Sequence, residues 1–136
     1  MKSDQKLKEM FKVFVDEDGV INLDFLIEER GDEENTRIAE IVKEEVLEIF
    51  KKNPKKKYNF LVDLLPLGQG GYFTSKARKI YIELGSHYQV KKVAVLGGSI
   101  YTKTAVIFIL SVSGRGGTTR WFKSKKEAMA WMKKKD

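Results

Sequence analysis

The side chains in this chain that could do chemistry are few, and none stands at a spacing that completes a reaction centre. His87 is the only histidine and there is no cysteine, so neither a four-ligand zinc site nor a Cys/His dyad can be assembled, and disulfides and thiolate chemistry are excluded. Asp16-Glu17-Asp18 resembles the start of a metal loop. The following Gly19-Val20-Ile21-Asn22 lacks the later oxygen ligands and the closing glutamate of an EF-hand, so a hairpin turn is expected there. Asp63, near the end of an apolar run, has no carboxylate, base or nucleophile at a spacing that pairs with it, and an acid so placed accepts backbone hydrogen bonds. His87, beside Ser86, is read as a solvated loop residue. No catalytic residue, metal site or cofactor is expected.

Binding is better served. Gly68-Gln69-Gly70-Gly71 and Gly97-Gly98-Ser99 follow two apolar runs that read as buried strands, and should leave the same edge of the sheet, where open α/β sheets gather ligands. Free N–H groups at Ser99 and Ile100, with Lys103 a turn further on, could hold a phosphate or carboxylate. Glycines at these points also simply permit tight turns. Phe73 occupies the third glycine position of a dinucleotide fingerprint, and no Gly-Lys-Ser/Thr occurs, so neither loop is a nucleotide motif. Tyr72 and Phe73 are either pinned to the core or presented to a partner. The candidate edge therefore comprises Asp63, Gly70, Gly71, Tyr72, Phe73, Gly97, Gly98, Ser99 and Lys103.

Charge is divided along the chain. Residues 1–50 carry 15 Asp/Glu against 7 Lys/Arg, and the remaining 86 carry 4 against 19, so an overall +7 conceals halves of −8 and +15. A one-sided field of this kind attracts nucleic acid, anionic membranes or acidic proteins, although runs such as Lys55-Lys56-Lys57 and Lys133-Lys134-Lys135 also serve plain solubility. Arg115-Gly116-Gly117 followed by Arg120 and Trp121 would suit single-stranded nucleic acid, but the last strand needs Trp121 for the core. Nucleic-acid binding is thus the alternative function. The longest apolar run, Ala105 to Leu110, is far short of the roughly 20 residues of a membrane span, and no charged-then-apolar leader is seen. A cytoplasmic protein, monomeric or weakly dimeric, is expected.

With 136 residues the chain suits one domain, residues 1–136. Alternation at Phe11, Val13 and Val15, a turn at Asp18-Gly19, and alternation again from Ile21 to Ile27 predict an edge hairpin with Asn22 and Asp24 toward solvent. A helical stripe from Ile38 to Phe50 lies within Asp32 to Asn53, with acids at its start and lysines at its end. A buried strand follows over Tyr58 to Leu65, then a helix from about Ser75 to Leu84 stopped by Gly85, then a strand over Lys92 to Leu96. Residues 100–113 fit strand and helix alike, and the need for a crossover between parallel strands favours helix. The chain closes with a strand around Thr119 to Phe122 and a helix capped by Ser124, with Glu127 three residues on and Ala128, Trp131 and Met132 sharing a face. The expected order is ββαβαβαβα, an α/β fold with a mostly parallel sheet.

Leu61-Val62-Asp63-Leu64, Ser75-Lys76-Ala77-Arg78-Lys79, Lys92-Val93-Ala94-Val95-Leu96-Gly97, and Trp121-Phe122 with Glu127-Ala128-Met129-Ala130-Trp131-Met132 carry a resemblance over nearly the whole chain. It resembles the STAS domains of anti-sigma-factor antagonists, most closely the small SpoIIAA-like proteins, which are also compared with CRAL-TRIO lipid-binding domains. The resemblance implies a non-enzymatic binding or regulatory module for a protein partner or a small amphiphilic or anionic ligand. Phosphorylation-switched members carry a serine in an Asp-Ser-Ser-Gly-like turn. Here that region reads Gly70-Gly71-Tyr72-Phe73-Thr74-Ser75, about two residues longer and without the signature, leaving Thr74 and Ser75 as the hydroxyls that stand in. A phosphate there would meet a helix N-terminus beside Lys76, Arg78 and Lys79, while a plain N-cap explains the same residues.

Overall fold

The computed structural model describes residues 1–68, 72–98 and 118–134. One sheet organises them. Strand β1 (Phe11–Val15) pairs antiparallel with β2 (Ile21–Phe25), and β2, β3 (Tyr58–Asp63), β4 (Val90–Leu96) and β5 (Thr119–Phe122) run parallel in chain order. Among the described residues, helices α1 (Asp4–Leu7), α2 (Asp32–Lys52), α3 (Ser75–Gly85) and α4 (Lys125–Lys133) accompany the sheet in an α/β fold. The short α1 was not expected. It is held to α2 by a bidentate pair, Arg37 to Asp4, at 3.0 and 2.8 Å. The helix expected within residues 100–113 lies outside the described residues.

Side-chain alternation along the strands divides the core in two. Ile21, Leu23, Phe25, Phe60 and Val95 meet the apolar stripe of α2, where Ile38, Val42, Val46 and Phe50 recur at helical spacing. On the opposite face Leu61, Ala94 and Leu96 pack against Ala128 and Met132 of α4. Both faces of β3 and β4 are therefore covered; on β2 the expectation of a solvent-facing Asn22 is also corrected. It is only 3% exposed. The reason is local: its Nδ2 donates to the Asp16 carboxylate at 2.9 Å and to the Val20 carbonyl at 3.1 Å. Strands β2 and β3 also end earlier than read, leaving Ile27 exposed and folding Leu65–Leu67 into a 3₁₀ turn around Pro66.

Helix ends follow their capping chemistry. Ser124 Oγ accepts the Glu127 N–H at 3.2 Å to start α4. At its other end Lys92, itself buried, donates Nζ to the Trp131 and Lys134 carbonyls at 3.3 and 2.8 Å, so a strand lysine satisfies the acceptors that α4 leaves over. Trp131 stands at the rim of that contact, 5.5 Å from the Phe122 ring and 5.4 Å from Lys92 Nζ, with Ala128 and Met132 more deeply buried than it is. Gly85 does not stop α3 by a left-handed turn. It is the last helical residue, and Ser86 Oγ donates back to the Ile82 carbonyl at 3.0 Å.

Candidate functional site

Where the parallel strands end, α2 and α3 begin side by side. Thr74 starts α3 by accepting the Ala77 N–H on Oγ1 at 3.0 Å, and shares a 2.8 Å hydrogen bond with the Thr36 hydroxyl of α2. Asn35, 5% exposed in the first turn of α2, binds this loop at both ends of its side chain. Nδ2 donates to the Glu29 and Tyr72 carbonyls, each at 2.8 Å, and Oδ1 accepts the Thr74 N–H at 3.0 Å. Arg78 adds a donation to the Phe73 carbonyl at 2.7 Å.

This resolves the two loop aromatics. Phe73 is pinned: its ring stands edge-on to Phe25 and Tyr81, all three centroids 5.8 Å apart, an arrangement that aromatic quadrupoles favour. Burial raises the Tyr81 hydroxyl pKa well above its ordinary value. Tyr72 donates its hydroxyl to Asp32, which with partial burial also pushes its pKa up, and the Arg30 guanidinium lies 5.9 Å from its ring. Tyr72 is thus a strut, held by its hydroxyl and by its own carbonyl.

Outside that strut lies an open depression of about 530 Å³ lined by Asp32, Glu33, Thr36, Arg37 and Glu40 of α2, by Thr74, Ser75 and Lys76 at the start of α3, and by Met1. Its α2 wall is mainly acidic, as a helix first turn prefers, and its α3 wall is cationic. Ser75 is exposed with Oγ 3.4 Å from Arg78 Nη2, whereas Thr74 Oγ1 is committed to the cap. Just inside, the space between Met10, Phe25, Ile38, Phe73 and Tyr81 amounts to only about 20 Å³, room for roughly one water.

Strands β3 and β4 are parallel, so Gly68 and Gly97–Gly98, the described residues of the two glycine turns, follow them on the same edge. A Cβ on Gly98 would lie 3.8 Å from Leu65 Cδ2, after β3. Gly97 donates its N–H to the Phe122 carbonyl at 3.2 Å, so that group belongs to the β5 ladder. Among the described residues positive φ occurs only at Gly19 and Gly68, at 78° and 73°, where an L side chain would be strained. Gly70, Gly71, Ser99 and Lys103 lie outside the described residues, as does Arg115.

Asp63 is not alone. In the parallel register Asp24 of β2 is its direct partner, so the two carboxyl groups stand side by side on the α4 face. Asp63 Oδ1 accepts the Leu65 N–H at 2.9 Å, the strand-end role expected of it. Burial raises the Asp24 pKa, the charge on Asp63 raises it further, and Lys125 and Lys12 oppose both. Nearby, Asp16 accepts the N–H groups of Asp18 and Val20 at 2.9 and 3.0 Å. Burial works against its charge, but the hydrogen bonds from Asn22, Val20 and Asp18 hold its pKa below the ordinary value. The acidic run is thus a turn that binds its own backbone. No group of three or more metal-ligating side chains occurs among the described residues. His87 is corrected too: its ring is stacked between Phe50 and Tyr88, at centroid distances of 4.4 and 4.6 Å.

Sequence reasoning missed Asn35, Asp32 and Arg37. Asn35 did leave a signal, because it extends the Ile38–Ile41–Val42 stripe one turn toward the N-terminus and so places an amide where an apolar residue belongs.

Compared with known families, residues 17–136 match DUF7793, a domain of unknown function. The chain belongs to that family. No curated protein matches it.

Proposed function

We propose that this member of the family is a non-enzymatic binding module that recognises a protein partner at the edge where α2 and α3 begin. The observation carrying this reading is the open depression beside Ser75, with walls of opposite charge on a loop fastened by Asn35, Thr36 and Tyr72. Such a surface is rigid before binding, which lowers the ordering cost of association, and it offers both signs of charge to a polypeptide. An amphiphile needs enclosed apolar volume, and among the described residues the about 20 Å³ behind Phe73 is too small for one. The resemblance to STAS and SpoIIAA-like proteins supports the same class of function. On the same reading Ser75, whose exposed hydroxyl accepts from Arg78, is the phosphate acceptor of a regulated module, while Thr74 stays the helix cap.

Native mass spectrometry of the protein as purified, with an organic extract examined for lipid, separates the ligand classes. The bare chain mass, as monomer or weak dimer, is the expected result. A stoichiometric amphiphile surviving purification would overturn the choice of a protein partner.

A further inference from the structure

The opposite edge of the sheet, where β3 and β4 begin, gathers a second set of groups. Gln89, buried before β4, donates its side-chain N–H groups to the carbonyls of Phe50 at 3.3 Å, Asn53 at 2.9 Å and Lys56 at 2.9 Å. The turn carrying His87 and Tyr88 is thereby fixed to the end of α2. Tyr88 donates its hydroxyl to the Pro54 carbonyl at 3.0 Å. Its ring is the outermost of a three-ring stack: Phe50 in the core, His87 at 4.4 Å from it, and Tyr88 at 4.6 Å from His87, with interplanar angles of 24° and 25°. Tyr88 is nevertheless 65% exposed. The fold holds one face of this ring and presents the other to solvent.

Lysines lie on the segments that flank it. Lys55 and Lys57 lie on the connection that Tyr88 and Gln89 tie down, and Lys91 is three residues from Tyr88. The Lys92 bond to the Lys134 carbonyl brings the basic end of α4 to the same edge. Lys55, Lys57 and Lys91 are exposed, and among the described residues no ion pair includes them; the pairs that occur involve Lys2, Lys6, Arg30 or Arg37. Lys51, Lys52 and Lys133 complement helix C-termini, and Lys56 lies over the Tyr58 ring near the acidic hairpin turn. Those local roles leave Lys55, Lys57 and Lys91 unexplained.

We propose that this edge binds single-stranded nucleic acid, one base stacking on the open face of Tyr88 while adjacent phosphates lie against Lys55, Lys57 and Lys91. A held aromatic face among unpaired cations matches alternating bases and phosphates. An acidic peptide supplies the charge without the ring. A membrane would be met by several apolar side chains, yet across residues 50–58 and 87–92 Tyr88 is the one large exposed hydrophobic. The surface differs from both the partner edge and the Arg115 to Trp121 segment; Trp121 packs against the core.

The test is fluorescence anisotropy of a labelled oligothymidylate of about 15 nucleotides with the full chain, from roughly 50 to 200 mM salt. Binding should weaken as salt rises. Tyr88→Leu, which keeps an apolar cover on His87 but loses the hydroxyl bond to the Pro54 carbonyl, should weaken it by roughly 5- to 100-fold while melting only slightly lower than the parent. Lys55→Ala/Lys57→Ala/Lys91→Ala should flatten the log–log salt slope by about 2, while Lys76→Ala/Lys79→Ala at the other edge leaves it alone. Absence of binding at the lowest salt overturns the proposal, as does Tyr88→Leu binding like the parent. Equal competition by polyglutamate or phosphatidylserine vesicles, with Tyr88→Leu neutral, would make the edge a general anion surface and reject the stacking role.

Discussion

Asn35→Ala removes the side chain that fastens the Tyr72–Thr74 loop to α2. Three hydrogen bonds disappear, at 2.8, 2.8 and 3.0 Å, and the side chain that made them is 5% exposed. At about 1 kcal/mol net for each bond, with the Glu29 and Tyr72 carbonyls and the Thr74 N–H partly stranded, the loss is about 3 kcal/mol. That is a substantial part of the roughly 5–15 kcal/mol that keeps a domain folded. With a urea slope of about 2 kcal/mol per molar, the midpoint should fall by about 1.5 M. Asn35→Asp preserves the acceptor for Thr74 but sets a carboxylate against two carbonyls, so at neutral pH it should do no better. Amide exchange at Thr74 should accelerate in Asn35→Ala and less so in Asn35→Asp, which keeps the acceptor. A midpoint shift below about 0.3 M for Asn35→Ala would refute the reasoning, because the loop would then be held by Phe73 packing and the Thr36, Asp32 and Arg78 contacts without Asn35.

Three other outcomes follow from the same contacts. Lys92→Met keeps the buried stem but loses the charge-assisted bonds to the end of α4; we expect a cost of about 1–3 kcal/mol by urea titration, and faster amide exchange confined to α4. For Asp24, whose pKa is raised on folding by burial and by Asp63, the folded state holds the proton more tightly than the unfolded chain. The resulting stability is complete below the unfolded value of 3.8 and is lost as pH rises through the higher folded value. Asp24→Asn should therefore raise the urea midpoint at pH 7, with the advantage disappearing below pH 3.8; an unchanged pH dependence of stability would contradict this. Thr74→Ala should destabilise by about 1 kcal/mol through loss of the α3 cap, while Ser75→Ala should leave the denaturation midpoint unaltered.

How far the sequence disclosed these features depended on the range of the interaction. Local rules found α2, because its apolar stripe and its end charges agree, and found α4, because Ser124 and Glu127 fix its start. They also gave the hairpin and the parallel course of the two strands that the glycine turns follow. The buried state of Asn22 was hidden, since alternation tells which residues share a face but not that the Asp16 turn will fold over the amide and bind it. The pairing of Asp24 with Asp63 is likewise a matter of parallel register, which no local pattern specifies. His87 looked solvated for the same reason: its partner Phe50 lies 37 residues earlier. Trp131 shares the helical face of Ala128 and Met132 as expected, but it sits where that face meets the sheet's margin beside Arg120, which helical spacing alone does not tell.

The most direct test of the partner edge is site-specific photo-crosslinking in cells from Ser75→p-benzoylphenylalanine, with the same substitution at Glu48, an exposed residue near the far end of α2, as control. One discrete protein adduct from position 75 and none from position 48 is the predicted result. No adduct from position 75, or the same adducts from both positions, would contradict the placement of the site.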